Sequence, residues 1–209
     1  MEKLARKLAE KIGANTGADA EKIAVMAYGL SAFFQMVIIF TVITAVGLVF
    51  GVWYEALITF FAVGIMRSAI GGAHSSTYIG CLTISTISIL LFAFAAHNIA
   101  DYHSRFIILA ISAVIYAASF ILIYKYAPAD SPNKPITRPE KIKRLRRRAF
   151  VTLAVYILIT VIFALLPEAF YGGHGSSCAL AFALSAIWQA FAVTPAGKVF
   201  IGVIDFGKK

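Results

Sequence analysis

Charge is what this 209-residue chain has least of: Asp, Glu, Lys and Arg make up 14% of it, while 60% is hydrophobic. Ordinary soluble domains carry about a quarter charged residues, and a mean hydropathy of +0.84 excludes that class. Cysteine is almost absent as well. Cys81 and Cys178 are too few for a disulfide framework and too far apart in sequence for a metal knuckle. Met1 to Lys22 lacks the apolar stretch of a cleavable leader, so the first residues are expected to stay on the protein.

What is present is a series of long uncharged runs. A spanning helix needs about 20 apolar residues, and the pattern predicts an all-α polytopic membrane protein, one domain over residues 1–209. Six spans are expected, at Tyr28–Phe50, Val52–Ile70, Ile79–Ile99, Phe106–Tyr126, Phe150–Leu166 and Cys178–Phe200, the last interrupted by Pro195. Residues 1–27 are read as an amphipathic segment, with Leu4, Leu8 and Ile12 on one stripe and Lys3, Arg6, Lys7 and Lys11 elsewhere, which suits a helix lying along a lipid surface. Residues 127–148 are read as a basic loop.

Basic residues are retained beside cytoplasmic span ends. Five precede the first span, nine lie between Lys125 and Arg148, and Lys198, Lys208 and Lys209 close the chain, whereas the turns near Glu55 and Glu168 hold none. Both termini are therefore expected in the cytoplasm. The net charge of +9 then meets anionic lipid, and nucleic acid is not needed as a partner.

One connection is richer than a turn requires. Between two apolar spans stand Arg67, Gly71, Gly72, His74, Ser75, Ser76, Thr77 and Cys81. Imidazole and thiol are the minimum for a cysteine nucleophile with its own base. On an unbroken helix His74 and Cys81 would share a face but lie about 10.5 Å apart along the axis, beyond hydrogen-bond reach. A break at Gly71 and Gly72, with Ser75, Ser76 or Thr77 capping a new helix near Tyr78, would bring them together and put Cys81 in a first turn, where the helix dipole favours a thiolate. The plainer alternative is a cysteine filling apolar space and a wetted turn histidine. Arg67, the charge assigned to a span interior, either snorkels to the surface or holds a substrate carboxylate.

In order, Arg67, Gly71-Gly72-Ala73-His74 and Cys81, followed by Tyr126-Ala127-Pro128-Ala129-Asp130-Ser131-Pro132-Asn133-Lys134-Pro135-Ile136, resemble the two motifs of the accessory gene regulator B (AgrB) family, membrane peptidases of bacterial peptide quorum sensing. Length, six spans and the basic amphipathic start agree with it. That resemblance implies a thiol endopeptidase, without metal or organic cofactor, that cuts the C-terminal tail from an AgrD-like propeptide and lets it close as a thiolactone autoinducing peptide. It implies Cys81 as nucleophile, His74 as base, and Arg67, Gly72 and Lys134 as supporting positions. Lys134 or Arg67 would grip an acidic propeptide tail. No acidic residue lies between Glu55 and Asp101, so a group orienting His74 must come from elsewhere, such as Asp130, Asn133, a serine or a backbone carbonyl. Relatives suggest a homodimer, for which Gly29, Gly47 and Gly51 permit close helix contact.

Two other readings compete. Gly172-Gly173-His174-Gly175-Ser176-Ser177-Cys178 holds a His and a Cys four apart, a spacing that suits a dyad or half a metal site, although the expected topology puts it on the outer side, as a glycine-rich turn. A small transporter or channel would use Arg67, His74, His97, Gln35 and Gln189 as a polar path, without the midplane carboxylates that ion coupling usually needs.

Overall fold

The computed structural model describes residues 2–71, 77–129, 139–165 and 170–204. Among the described residues eight α-helices follow one another: α1 Glu2–Thr16, α2 Ala20–Phe50, α3 Trp53–Ile70, α4 Tyr78–Tyr102, α5 Arg105–Tyr126, α6 Pro139–Leu165, α7 Gly175–Ala192 and α8 Pro195–Ile204. No strand occurs among the described residues. Helices α2 to α7 are long and apolar enough to cross a membrane, as the six expected spans require. Inside a bilayer every backbone N–H and C=O must find an internal partner, which a continuous helix supplies.

The chain divides into two compact units, Met1–Val42 and Ile43–Lys209. In the first, α1 leaves Leu4, Leu8 and Ile12 exposed and buries Ala5, Ala9 and Gly13. Asp19 caps α2, accepting the Lys22 backbone N–H at 2.8 Å. That bond and the Lys22 ammonium hold its carboxyl below the usual carboxylate range.

In the second unit α7 is the central stave, packed by α3, α4, α5 and α6. Its sequence explains this. Ten of its eighteen residues are Gly, Ala or Ser, so neighbouring backbones approach closely where lipid offers no hydrophobic driving force. Several surrounding hydroxyls find partners across helix boundaries. The Tyr156 hydroxyl donates to the Ala62 carbonyl at 2.6 Å, Thr160 Oγ1 donates to the Ala179 carbonyl at 3.3 Å, and Tyr116 OH meets Thr160 Oγ1 at 2.7 Å. Large apolar side chains such as Phe61, Leu91, Val114, Ile121 and Leu158 point outward, while Glu55, Thr59, Thr160, Ser185 and Gln189 are buried. That distribution is inverted from a soluble domain and suits a lipid-facing bundle.

Boundaries differ from the sequence reading: α2 begins at Ala20, eight residues before the expected Tyr28, and two more shift as far or further. The basic block Lys141–Arg148 is the start of α6 and not a loop, because Pro139 opens a helix and Lys and Arg propagate it. Arg146 donates to the Tyr124 carbonyl and lies 4.8 Å over the Tyr124 ring, tying α6 to the end of α5. The last span stops at Ala192, where Thr194 Oγ1 accepts the Gly197 N–H at 2.9 Å and starts α8 as a separate helix.

Helix α2 ends in a glycine cap: Gly51 has φ 73° and the Val52 N–H returns to the Gly47 carbonyl at 2.8 Å. A Cβ at Gly47 would stand 2.7 Å from the Trp53 Cα. Gly47→Ala is therefore expected to cost about 1–3 kcal/mol and to lower the melting temperature in detergent, whereas Gly29→Ala, with open space around it, leaves the melting temperature unchanged.

Candidate active site

The helix break expected after Arg67 is present. Gly71 ends α3 with φ 74° and ψ −145°, a backbone that L side chains rarely adopt, and its N–H returns to the Arg67 carbonyl at 2.9 Å. Helix α4 restarts six residues later under the cap of Thr77, whose Oγ1 accepts the Gly80 N–H at 3.1 Å. Cys81 follows in the first turn, half-buried and reduced. Its own N–H is committed to the Thr77 carbonyl at 3.0 Å, so the oxyanion donor must be sought beyond that amide.

The two family-like motifs meet in space. Beyond α5, Ala127, Pro128 and Ala129 turn back onto the end of α3, and the Ala129 N–H donates to the Ile70 carbonyl at 3.0 Å. Gly71 faces this strap so closely that a Cβ there would lie 2.8 Å from the Ala129 oxygen. Ala127 and Ala129 are buried with Met66, Ile70, Ile123 and Val193. Packing thus holds Ala129 beside Gly71. Gly72, His74, Ser75, Asp130 and Lys134 themselves lie outside the described residues.

Arg67 and Cys81 line one cavity of about 30 Å³, together with Ser85, Trp188, Gln189 and Ile201. Such a space holds a single water. Gln189 is fully buried, and its Oε1 has no hydrogen-bond partner among the described residues. A buried amide left this way loses its hydration without replacement. Aromatic contacts from Trp188 to Phe92 and Phe191 at 5.6 and 6.0 Å wall the cavity. The sequence reading had placed Gln189 only on the alternative polar path.

Cys178 is fully buried in α7 among Ala and Ser neighbours. A second polar cluster lies at its end of the bundle. Glu55 Oε1 is 2.6 Å from Ser177 Oγ, 2.9 Å from His174 Nδ1 and 3.2 Å from His97 Nδ1. The sequence reading assigned Glu55 to a turn and treated Arg67 as the lone charge inside a span. The structure corrects this: Glu55 sits in the first turn of α3 with 0% of its surface exposed. Burial is tolerated because two imidazoles and a hydroxyl converge on its carboxylate. The residues come from three separate helices, so no local spacing pointed to them; an isolated acid at the start of an apolar run was the available signal.

Helix rise separates the clusters: Glu55 and Arg67 are about 18 Å apart along α3, and Cys81 and His97 about 24 Å apart along α4. The members of the alternative polar path divide accordingly, Arg67 and Gln189 at one end and His97 at the other.

Fold and composition define an all-helical, multi-pass membrane protein with a cysteine-bearing cavity at one end of its bundle. Residues 5–193 match the accessory gene regulator B family, and the chain belongs to that family, a component of the accessory gene regulator quorum-sensing system. A putative AgrB-like protein of Clostridium perfringens (strain SM101 / Type A) is 29% identical over 206 residues, covering 98% of this chain and 96% of the relative. Putative AgrB-like protein 2 of Clostridium perfringens (strain 13 / Type A) is 30% identical over 210 residues, with the same two coverages. A putative AgrB-like protein of Halalkalibacterium halodurans is 25% identical over 165 residues, 78% of each chain. No solved structure matches.

If the strap holds the turn, Gly71→Ala displaces it. The variant is expected to melt earlier and to react faster at Cys81 with a maleimide, since buried Cys178 stays silent. Gly64→Ala, with open space around it, serves as the unchanged control.

Proposed function

We propose that this protein is a membrane cysteine endopeptidase that removes the C-terminal tail of an AgrD-like propeptide through a Cys81 thioester and releases a thiolactone. The observation that carries this reading is Cys81 in the first turn of α4, just past a glycine corner, in a cavity shared with Arg67 and Gln189.

His74 takes the Cys81 thiol proton, and the thiolate attacks the scissile carbonyl carbon. The carbonyl oxygen becomes an oxyanion, to which the Gln189 side chain, lining the same cavity as Cys81, turns its N–H. Collapse breaks the C–N bond, and the protonated His74 gives its proton to the departing amine. A cysteine thiol of the propeptide, deprotonated by the now neutral His74, attacks the thioester, frees Cys81 and closes the ring. Exchange between two thioesters is nearly isoenergetic, so the ring forms only where water is kept from the acyl-enzyme. The 30 Å³ cavity walled by Trp188 supports such exclusion.

Arg67 or Lys134 receives the acidic tail, and the cavity position of Arg67 favours it. Gly72 and Ser75 are supporting positions, and Asp130 is a candidate for the group that orients His74. The site faces the cytosol of the bacterial cell membrane, where both termini lie, α1 rests on lipid, and the protein pairs as a homodimer.

Reconstitution in lipid vesicles with a propeptide tests the assignment. Cys81→Ala and His74→Ala are expected to lose cleavage by at least about a thousandfold, while Cys178→Ala cleaves normally. Neutral hydroxylamine should trap the acyl-enzyme of the wild type. Full cleavage by Cys81→Ala would overturn the mechanism. Gln189→Leu, close in volume, is expected to slow acylation about 100- to 1,000-fold with propeptide binding retained.

A further inference from the structure

The end of the bundle away from Cys81 brings one donor from each of three helices to a single point. Glu55 comes from α3, His97 from α4, and His174 from the residue capping α7. One ligand atom from each lies within 4.8 Å of the others. Four ligands held tetrahedrally at about 2.0–2.1 Å from a zinc-type ion stand about 3.3–3.4 Å from one another. The two measured edges, 2.9 Å from Glu55 Oε1 to His174 Nδ1 and 3.2 Å to His97 Nδ1, are near that spacing.

A carboxylate also stands behind one of the histidines. His97 Nε2 lies 3.6 Å from Asp101 Oδ2, one helical turn further along α4. A carboxylate behind a histidine is the usual outer support of a metal ligand. One further feature favours the metal. Glu55 Oε2 is buried without a hydrogen-bond partner among the described residues, although the whole side chain is inaccessible.

We propose that Glu55, His97 and His174 bind one divalent ion of the zinc class, with Asp101 supporting His97 and water or a carboxylate oxygen in the fourth position. Nitrogen and carboxylate donors in this number suit zinc or cobalt over calcium or magnesium. The imidazoles are about a quarter exposed, 27% for His97 and 24% for His174, so the ion enters from solvent. Binding releases any proton held on either Nδ1. The ion clasps the starts of α3 and α7 to the end of α4 and takes no part in the Cys81 chemistry.

Full-length protein carrying Cys81→Ala, so that this thiolate does not compete, is placed in lipid nanodiscs, stripped with EDTA and titrated with zinc chloride. One saturating equivalent and a higher melting temperature are expected. Cobalt should give visible ligand-field bands without thiolate charge transfer. Affinity should fall at least about tenfold in His97→Gln and in His174→Gln, and stay unchanged in Cys178→Ala. Absence of saturable zinc binding, wild-type affinity in both histidine variants, or a thiolate band with cobalt would overturn the proposal. Should one histidine variant fail to fold, the other variant and the cobalt spectrum still decide it.

Discussion

Close approach of α7 to four other helices is the constraint on which the rest of the structure depends. In lipid, apolar side chains gain little by leaving their surroundings, so association must come from tight backbone packing and the hydrogen bonds it permits. Ala, Ser and Gly along α7 permit that packing. Thr160 can then reach the Ala179 carbonyl, and Tyr156, from α6, the Ala62 carbonyl on α3. Bulky residues on α7 would separate these partners and leave hydroxyls unsatisfied where water is scarce.

Because α3, α4 and α7 lie side by side over much of their length, chemistry collects at both ends of the same three helices. One end gathers Arg67, Cys81 and Gln189; the other gathers Glu55, His97 and His174. The first is coupled to chain reversal: Gly71 turns the backbone, and the strap at Ala129 hydrogen-bonds to the last residue of α3. The second is held by convergence on a single buried carboxylate. Helix length keeps them roughly 20 Å apart, so a change of protonation or ligation at one end does not touch the reacting atoms at the other.

Much of this was legible in the linear chain. Long apolar runs gave six spans, and the glycine pair followed by Ser75, Ser76 and Thr77 gave the break and, through Thr77, the cap that put Cys81 in a first turn. The order of Arg67, His74 and Cys81 with the Tyr126–Ile136 segment pointed to the family that the match over residues 5–193 establishes. Less was legible at the boundary of α6, where charge suggested a loop but helix propensity continued the element through Arg148. Glu55 was misplaced for a similar reason, since hydropathy treats an isolated acid near a span end as the beginning of water.

Composition and local pattern determined fold class, span number, the helix break and the candidate nucleophile, because each depends on residues within a few turns of one another. Tertiary structure alone decided that the Ala127–Ala129 strap packs on Gly71, that Gln189 shares the cavity of Cys81, and that Glu55 meets two histidines 42 and 119 residues away. Those neighbours are chosen by how helices pack side by side, and periodicity along one helix carries no information about which residue of another will face it.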